Sequence, residues 1–218
     1  MAQRTVFVTG ATGYLGRALI SALLARDHRV RALARSGSAA RIPPGAEVVT
    51  GEVLVPASYA AAIAPADTLV HLIGTPHPSP AKAASFRSVD LASVGAMLEA
   101  VRASPVRHVV YVSVAQPAPV MHAYIETRQA AEAQLRASGL ACTIFRPWYV
   151  LGPGHRWPYL IMPLTVLLER LPWTRVSARR LGFVTLAQMV RALVCAVEDP
   201  AEGVRIAEVP QIRAPAAH

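Results

Sequence analysis

Apolar residues come in short blocks along this chain, and between the blocks their spacing changes from two residues to about 3.6. "TVFVTG" (5–10) is a continuous β-branched run stopped by glycine, the pattern of a strand buried on both faces. "YLGRALISALLARD" (14–27) then repeats Leu and Ile at helical spacing. The same alternation continues with strands at 29–35, 46–53, 67–74, 106–114 and 141–147. Between them the pattern predicts helices at 58–66, 81–104 and 123–138, the last closed by Gly139 as a C′ glycine. Beyond residue 151 the rhythm loosens. A proline-interrupted apolar helix is predicted at 158–173, an amphipathic helix at 184–199 and a last strand at 203–210.

Strands alternating with helices imply right-handed crossovers and a parallel sheet covered on both sides. The expected class is α/β: a single Rossmann-like, doubly wound domain over 1–218, with 151–183 as a small C-terminal cap. Ligands in such sheets bind beyond the carboxyl ends of the strands. Gly10, Arg35, Gly74, Ser113 and Pro147 all fall at predicted strand ends. The loop "TPHPSP" (75–80) lies on the same edge.

Composition narrows the classes. With 53% hydrophobic and 16% charged residues, the 218-residue chain is not disordered. The formal charge is +9, yet the basic residues are scattered, and "SARR" (177–180) is the densest group. That scatter favours anionic cofactors or surfaces over nucleic acid. Cys142 and Cys195 sit in apolar runs and read as small core residues, and no spacing predicts a metal site. The start "MAQRTVFVTG" reads as a strand rather than a signal peptide, and no run of about 20 apolar residues predicts a spanning helix, so the cytoplasm is the expected location.

The segment "TGATGYLG" (9–16) carries Gly10, Gly13 and Gly16 where a strand turns into a helix. A tight turn without a ligand can use the same glycines. The position between strand and amphipathic helix favours a pyrophosphate site, with free N–H groups and the positive end of the helix dipole facing the phosphates. The end of the second strand discriminates between cofactors. A carboxylate there would bind a ribose 2′-hydroxyl, but "ALARSGS" offers Arg35 and Ser36, which suit a 2′-phosphate. NADP(H) is therefore expected over NAD(H), with Arg17 as a second basic candidate.

In "YIETRQAAE", Tyr124 and Arg128 stand four residues apart, on one helix face. A free tyrosine titrates near pH 10, and a cation beside it favours the phenolate needed for proton transfer.

Taken in order, "TGATGYLG", "RALAR", "VHLIG", "YVSV", "YIETRQAAE" and "FRPWYVLGPG" resemble the short-chain dehydrogenase/reductase superfamily. The resemblance is to its atypical branch, the NAD(P)H-binding, NmrA-like and complex I accessory-subunit-like proteins, over about residues 4–155. It implies that Gly10, Thr12, Gly13, Tyr14, Leu15 and Gly16 form the phosphate loop. It further implies that Arg35 and Ser36 meet the 2′-phosphate, Glu52 and Val53 flank the adenine, Gly74 and Thr75 lie near the adenine ribose, and Pro147 stands beside the nicotinamide. Ser113 and Tyr124 match the family's catalytic serine and tyrosine. Arg128 stands where the family has a lysine that bonds the nicotinamide ribose and supports the tyrosine. Arginine carries the charge but is longer and planar. The expectation is retained cofactor binding with weakened, altered or absent hydride chemistry.

Two readings of function follow. One is an oxidoreductase or epimerase acting on a small carbonyl or alcohol, with Tyr124 moving the proton, Ser113 holding the substrate oxygen and Arg128 tuning Tyr124. The other is a non-catalytic NADP(H)-binding redox sensor or assembly protein. His122 is a secondary proton-donor candidate, His71 reads as a core group, and His77 and His155 have no assigned role. The aromatic stretch 146–159 is a candidate pocket lining, and the apolar helix at 158–173 with its basic neighbours is a candidate for weak membrane-surface contact. The helices at 81–104 and 123–138 resemble those that pair in related homodimers, while a shortened, cap-poor member equally fits a monomer.

Overall fold

The computed structural model describes residues 3–75, 79–118, 120–152 and 180–214. Seven parallel strands form one sheet in the order β3-β2-β1-β4-β5-β6-β9. They are β1 (Thr5–Thr9), β2 (Arg29–Ala34), β3 (Glu47–Thr50), β4 (Thr68–His71), β5 (His108–Val112), β6 (Ala141–Arg146) and β9 (Val204–Glu208). The chain winds outward from β1 to β3, then returns to place β4 on the other side of β1. This reversal opens a crevice at the carboxyl ends of β1 and β4, where such sheets take their ligands. Two short strands not foreseen from the sequence, β7 (Tyr149–Leu151) and β8 (Phe183–Thr185), pair in parallel as a separate ribbon.

The helices cover both faces, as unbroken apolar strands require. On one face α1 (Tyr14–Leu24) and α5 (Leu186–Glu198) seal Val6, Val8, Val70 and Val110. Leu19, Ile20 and Leu23 of α1 are fully buried there. On the other face α3 (Ala92–Val101) and α4 (His122–Ala137) cover Phe7, Leu69, Val109, Tyr111 and Ile144. Gly139 follows α4 with φ +75°, the left-handed conformation expected of a C′ glycine. A short helix, α6 (Val209–Arg213), follows β9.

Three expectations change. The segment 58–66 forms two 3₁₀ turns, Pro56–Ser58 and Ala60–Ala62, because prolines at 56 and 65 leave too few residues for an α-helix. The single helix expected at 81–104 is instead an α turn, α2 (Ala83–Ser85), a π turn (Phe86–Leu91) and then α3. Cys142 is fully buried as expected, but Cys195 is only half-buried. The helix at 158–173, most of the 151–183 cap, His77 and His155 lie outside the described residues. Among the described residues no helix is long and apolar enough to cross a membrane, and no cluster of His, Cys, Asp or Glu could hold a metal.

Candidate functional site

The glycine loop leaves β1 at Gly10, which has φ +72°. A Cβ there would sit 2.7 Å from the carbonyl carbon of Leu72, so both the backbone angle and the proximity of β4 require glycine. At Gly16 a Cβ would come within 2.9 Å of the Ala11 Cα, which explains how α1 packs directly on the turn. Thr12 lies in the turn, Gly13 is the N-cap, and Tyr14, Leu15 and Gly16 form the first helical turn. Among the described residues no side chain caps α1, and no acidic residue stands in its first turn. Its leading N–H groups are therefore left for an external anion, with the helix dipole favouring negative charge.

Arg35 directly follows β2 and is exposed, as is Ser36. Among the described residues nothing forms a hydrogen bond or ion pair with the Arg35 guanidinium, whereas Ser38 donates to its backbone carbonyl. Arg17 is also exposed, one turn into α1. Glu52 and Val53 follow β3. The Glu52 N–H donates to Ser58 Oγ, and the Val53 carbonyl accepts from the buried Tyr59 hydroxyl. Gly74 and Thr75 follow β4, and Pro147, which is buried, follows β6. All of these residues share the sheet's carboxyl edge.

Tyr124 lies in the first turn of α4 and is half-buried. Its ring meets the edge of Phe86 at 5.0 Å between centroids. The Arg128 guanidinium carbon stands 5.1 Å from the Tyr124 ring centroid and 5.7 Å from that of Tyr111. Arg128 is only 4% exposed. Its Nη1 donates to the Tyr111 hydroxyl at 2.9 Å and to the Val112 carbonyl at 3.2 Å. Its Nη2 pairs with Asp90 Oδ2 at 3.3 Å, while its Nε is buried without a hydrogen-bond partner among the described residues. The other Asp90 oxygen accepts from both the N–H and the hydroxyl of Thr75, at 2.7 and 2.9 Å. Burial pushes the Asp90 carboxyl up, against the opposing pull of Arg128 and Thr75. Arg128 remains charged: burial opposes the cation, but Tyr111, Tyr124 and Asp90 together favour it.

Ser113 follows β5, its N–H held by the Phe145 carbonyl at 2.7 Å. Its hydroxyl donates to Glu132 Oε1, also at 2.7 Å. Glu132 is fully buried on α4, eight residues beyond Tyr124 on the same helix face. The same oxygen accepts from Gln116 Nε2 at 2.7 Å and Arg146 Nε at 3.0 Å. The other oxygen takes Arg146 Nη2 at 2.6 Å and Arg136 Nη2 at 2.9 Å. Burial alone would raise this carboxyl, but the bonds from Arg146 and Ser113 and the nearby guanidinium charges hold it below its ordinary range.

The structure thus brings Tyr124, Arg128 and Ser113 to one edge, on α4 and the end of β5, and adds two carboxylates that sequence reasoning missed, Asp90 and Glu132. Glu132 was detectable, since Tyr124, Arg128 and Glu132 recur every four residues. Asp90 carries no such signal. His122 is the exposed first residue of α4. His71 is fully buried between Thr9 Oγ1 (2.9 Å) and Ser93 Oγ (3.1 Å). Burial, then the charge of Arg128, lowers it to about 3 and keeps it neutral. Tyr14 has its phenol raised by burial and then by the neighbouring Tyr149 and Tyr124, and its ring is 3.2 Å from where a Cβ on Gly152 would stand. Of the aromatic stretch at 146–159, only residues through 152 are described.

Residues 10–157 match the family model described as NAD(P)H-binding. The chain belongs to that family. The sheet order and the glycine loop agree with that membership. It is 29% identical over 205 residues to a ceramide reductase of Caulobacter vibrioides, covering 92% of this chain and 59% of that protein. It is 31% identical to a 3-diazoavenalumate denitrifying reductase of Streptomyces, covering 91% of this chain and 73% of that one. The fold matches WbmH of Bordetella bronchiseptica, solved in complex with NAD+, with a TM-score of 0.70 and 22% identity over 93% of this chain and 75% of that one. The chain is thus shorter than each of these relatives and spans less than two thirds of the ceramide reductase.

Proposed function

We propose that this protein is an NADP(H)-binding oxidoreductase, or an epimerase, acting on a carbonyl or alcohol carbon. When bound, the dinucleotide supplies or accepts a hydride at its nicotinamide C4. The residues that would hold it are those of the phosphate loop (Gly10, Thr12 to Gly16), Arg35 and Ser36 at the 2′-phosphate, Glu52 and Val53 at the adenine, Gly74 and Thr75 at the ribose, and Pro147 at the nicotinamide. Among the described residues the α1 N-terminus has no side-chain cap and the Arg35 guanidinium no partner, and both fit such a group. The observation that carries the catalytic reading is the half-buried Tyr124 over the Arg128 cation, on the same sheet edge as that N-terminus. Tyr124 gives or takes the proton, Arg128 packs against its ring and fixes it on this edge, and Ser113 holds the substrate oxygen. Both curated relatives are named as reductases, which favours oxidoreductase over epimerase. The test is NADPH oxidation across a carbonyl panel, with Tyr124→Phe removing turnover while retaining NADPH affinity.

A second reading has its own observation. Arg128 is committed to Asp90, Tyr111 and Val112, so it is not a free ribose-binding cation in the manner of the family's lysine. That favours a protein that binds NADP(H) and passes a shape change to a partner. NADPH binding with no oxidation of any carbonyl in the panel, and a partner captured only with cofactor, is the result expected of such a sensor.

A further inference from the structure

Glu132 is fully buried, yet it decides what Ser113 can do at the sheet's carboxyl edge. A serine hydroxyl has one proton to donate and two lone pairs that accept. In this structure the proton points at Glu132 Oε1, 2.7 Å away and fully buried. A bond to an ionised carboxylate is about twice as strong as one to a neutral carbonyl. The carboxylate is itself immobilised by Gln116, Arg146 and Arg136, and so cannot follow Ser113 if the hydroxyl turns away. Gln116 and Ser113 flank the end of β5 and Arg146 ends β6, so two neighbouring strands and α4 together fix the direction of one proton.

We propose that Glu132 is a positioning residue that makes Ser113 an acceptor toward the cleft. The ligand group opposite Ser113 is then a hydrogen-bond donor, a hydroxyl or an N–H, and not a bare carbonyl oxygen. The inference rests on the reading of this edge as a substrate site. It sharpens that reading: Ser113 recognises the alcohol form, and the hydroxyl of Tyr124 is left to meet the carbonyl form.

The test uses the whole protein in two arms. In the first, without ligand, a hydroxyl proton held by a buried carboxylate exchanges slowly enough to give its own proton NMR signal. That signal is expected in the wild type and lost in Ser113→Ala; its absence from the wild type overturns the assignment. In the second, the probes are 1-phenylethanol with NADP+ and acetophenone with NADPH. Ser113→Ala is expected to weaken the alcohol about tenfold, the worth of one good hydrogen bond, and to weaken the ketone clearly less than the alcohol. Ser113→Thr, which keeps a hydroxyl, restores the alcohol. Glu132→Gln, scored only if its thermal melt shows a folded protein, shifts preference toward the ketone. Equal losses for both probes, or a wild type that binds neither, overturn the proposal. NADPH titration of the same samples separates the two levels: no NADPH binding defeats the functional reading, whereas the proton signal tests the role of Glu132 regardless.

Discussion

The Nη2 atom of Arg128 occupies the space that a side chain on residue 74 would need. A Cβ built on Gly74 collides with it, so the glycine after β4 makes room for the cation on α4. Gly74 was expected from the family resemblance to serve the adenine ribose, and it also seats the guanidinium that pairs with Asp90. Gly74→Ala is expected to push the Arg128 guanidinium away from Asp90 and to lower stability by about 1–3 kcal/mol, the worth of a hydrogen bond between charged groups. Urea unfolding measures this; an unchanged midpoint would show that the guanidinium relocates freely.

Asp90 carries the other half of that relationship. Asp90→Ala leaves a buried guanidinium without its carboxylate and frees both donors of Thr75. The expected loss is about 3–5 kcal/mol, the usual result of breaking a buried pair from one side. The double variant Asp90→Ala, Arg128→Met should lose less than the sum of the single changes, because the two side chains share one interaction. Strict additivity in denaturant melts would rule out the coupling.

Two histidines set an acid limit. His71 is lowered to about 3 by burial and the charge of Arg128, and His108 to about 4 by burial and the charges of Arg205 and Arg4. Both protonate near 6.5 in the unfolded chain, so between these values the unfolded state binds more protons. Stability is therefore full above about pH 6.5 and falls as the pH drops toward each folded value, by about 1.4 kcal/mol per pH unit per histidine. His71→Gln retains partners for Thr9 and Ser93 and should remove one proton from that slope. Stability measured between pH 7.5 and 5 decides, and an unchanged slope in the variant would contradict the assignment.

Much of this was legible from residue patterns. β1, β2, β4, β5 and β6 lie within their predicted spans because continuous β-branched runs bounded by glycine, arginine or proline admit little else. The glycine loop was legible because strand, glycines and amphipathic helix follow one another without a gap. The π turn at Phe86–Leu91 was not, since its apolar spacing is that of any helix. Its placement of Asp90 beside Arg128 depends on a contact across 38 residues, which no local pattern encodes. Glu132 is marked in the sequence only by its four-residue spacing from Arg128. What makes it part of the site is Arg146 and Ser113 converging on it from two strands.

Tyr124 offers a direct probe of mechanism. Tyr124→Phe keeps the ring that packs on Phe86 and faces Arg128, and removes only the hydroxyl. Stability and NADPH affinity should stay within about twofold, while turnover of any carbonyl the wild type reduces falls by at least about 100-fold, the usual worth of a positioned proton donor. Persistent turnover would assign the proton to another group, with the exposed His122 as the next candidate.

The β1–α1 turn and Arg35 make up the proposed NADP(H) site. Titration of the purified protein with NADPH and with NADH, followed by the fluorescence of its three tryptophans, decides whether it exists. Saturable binding of both is expected, tighter for NADPH, with Arg35→Ala removing the preference and leaving NADH affinity unchanged. Failure to bind either nucleotide would contradict that proposal and leave "TGATGYLG" as a structural turn.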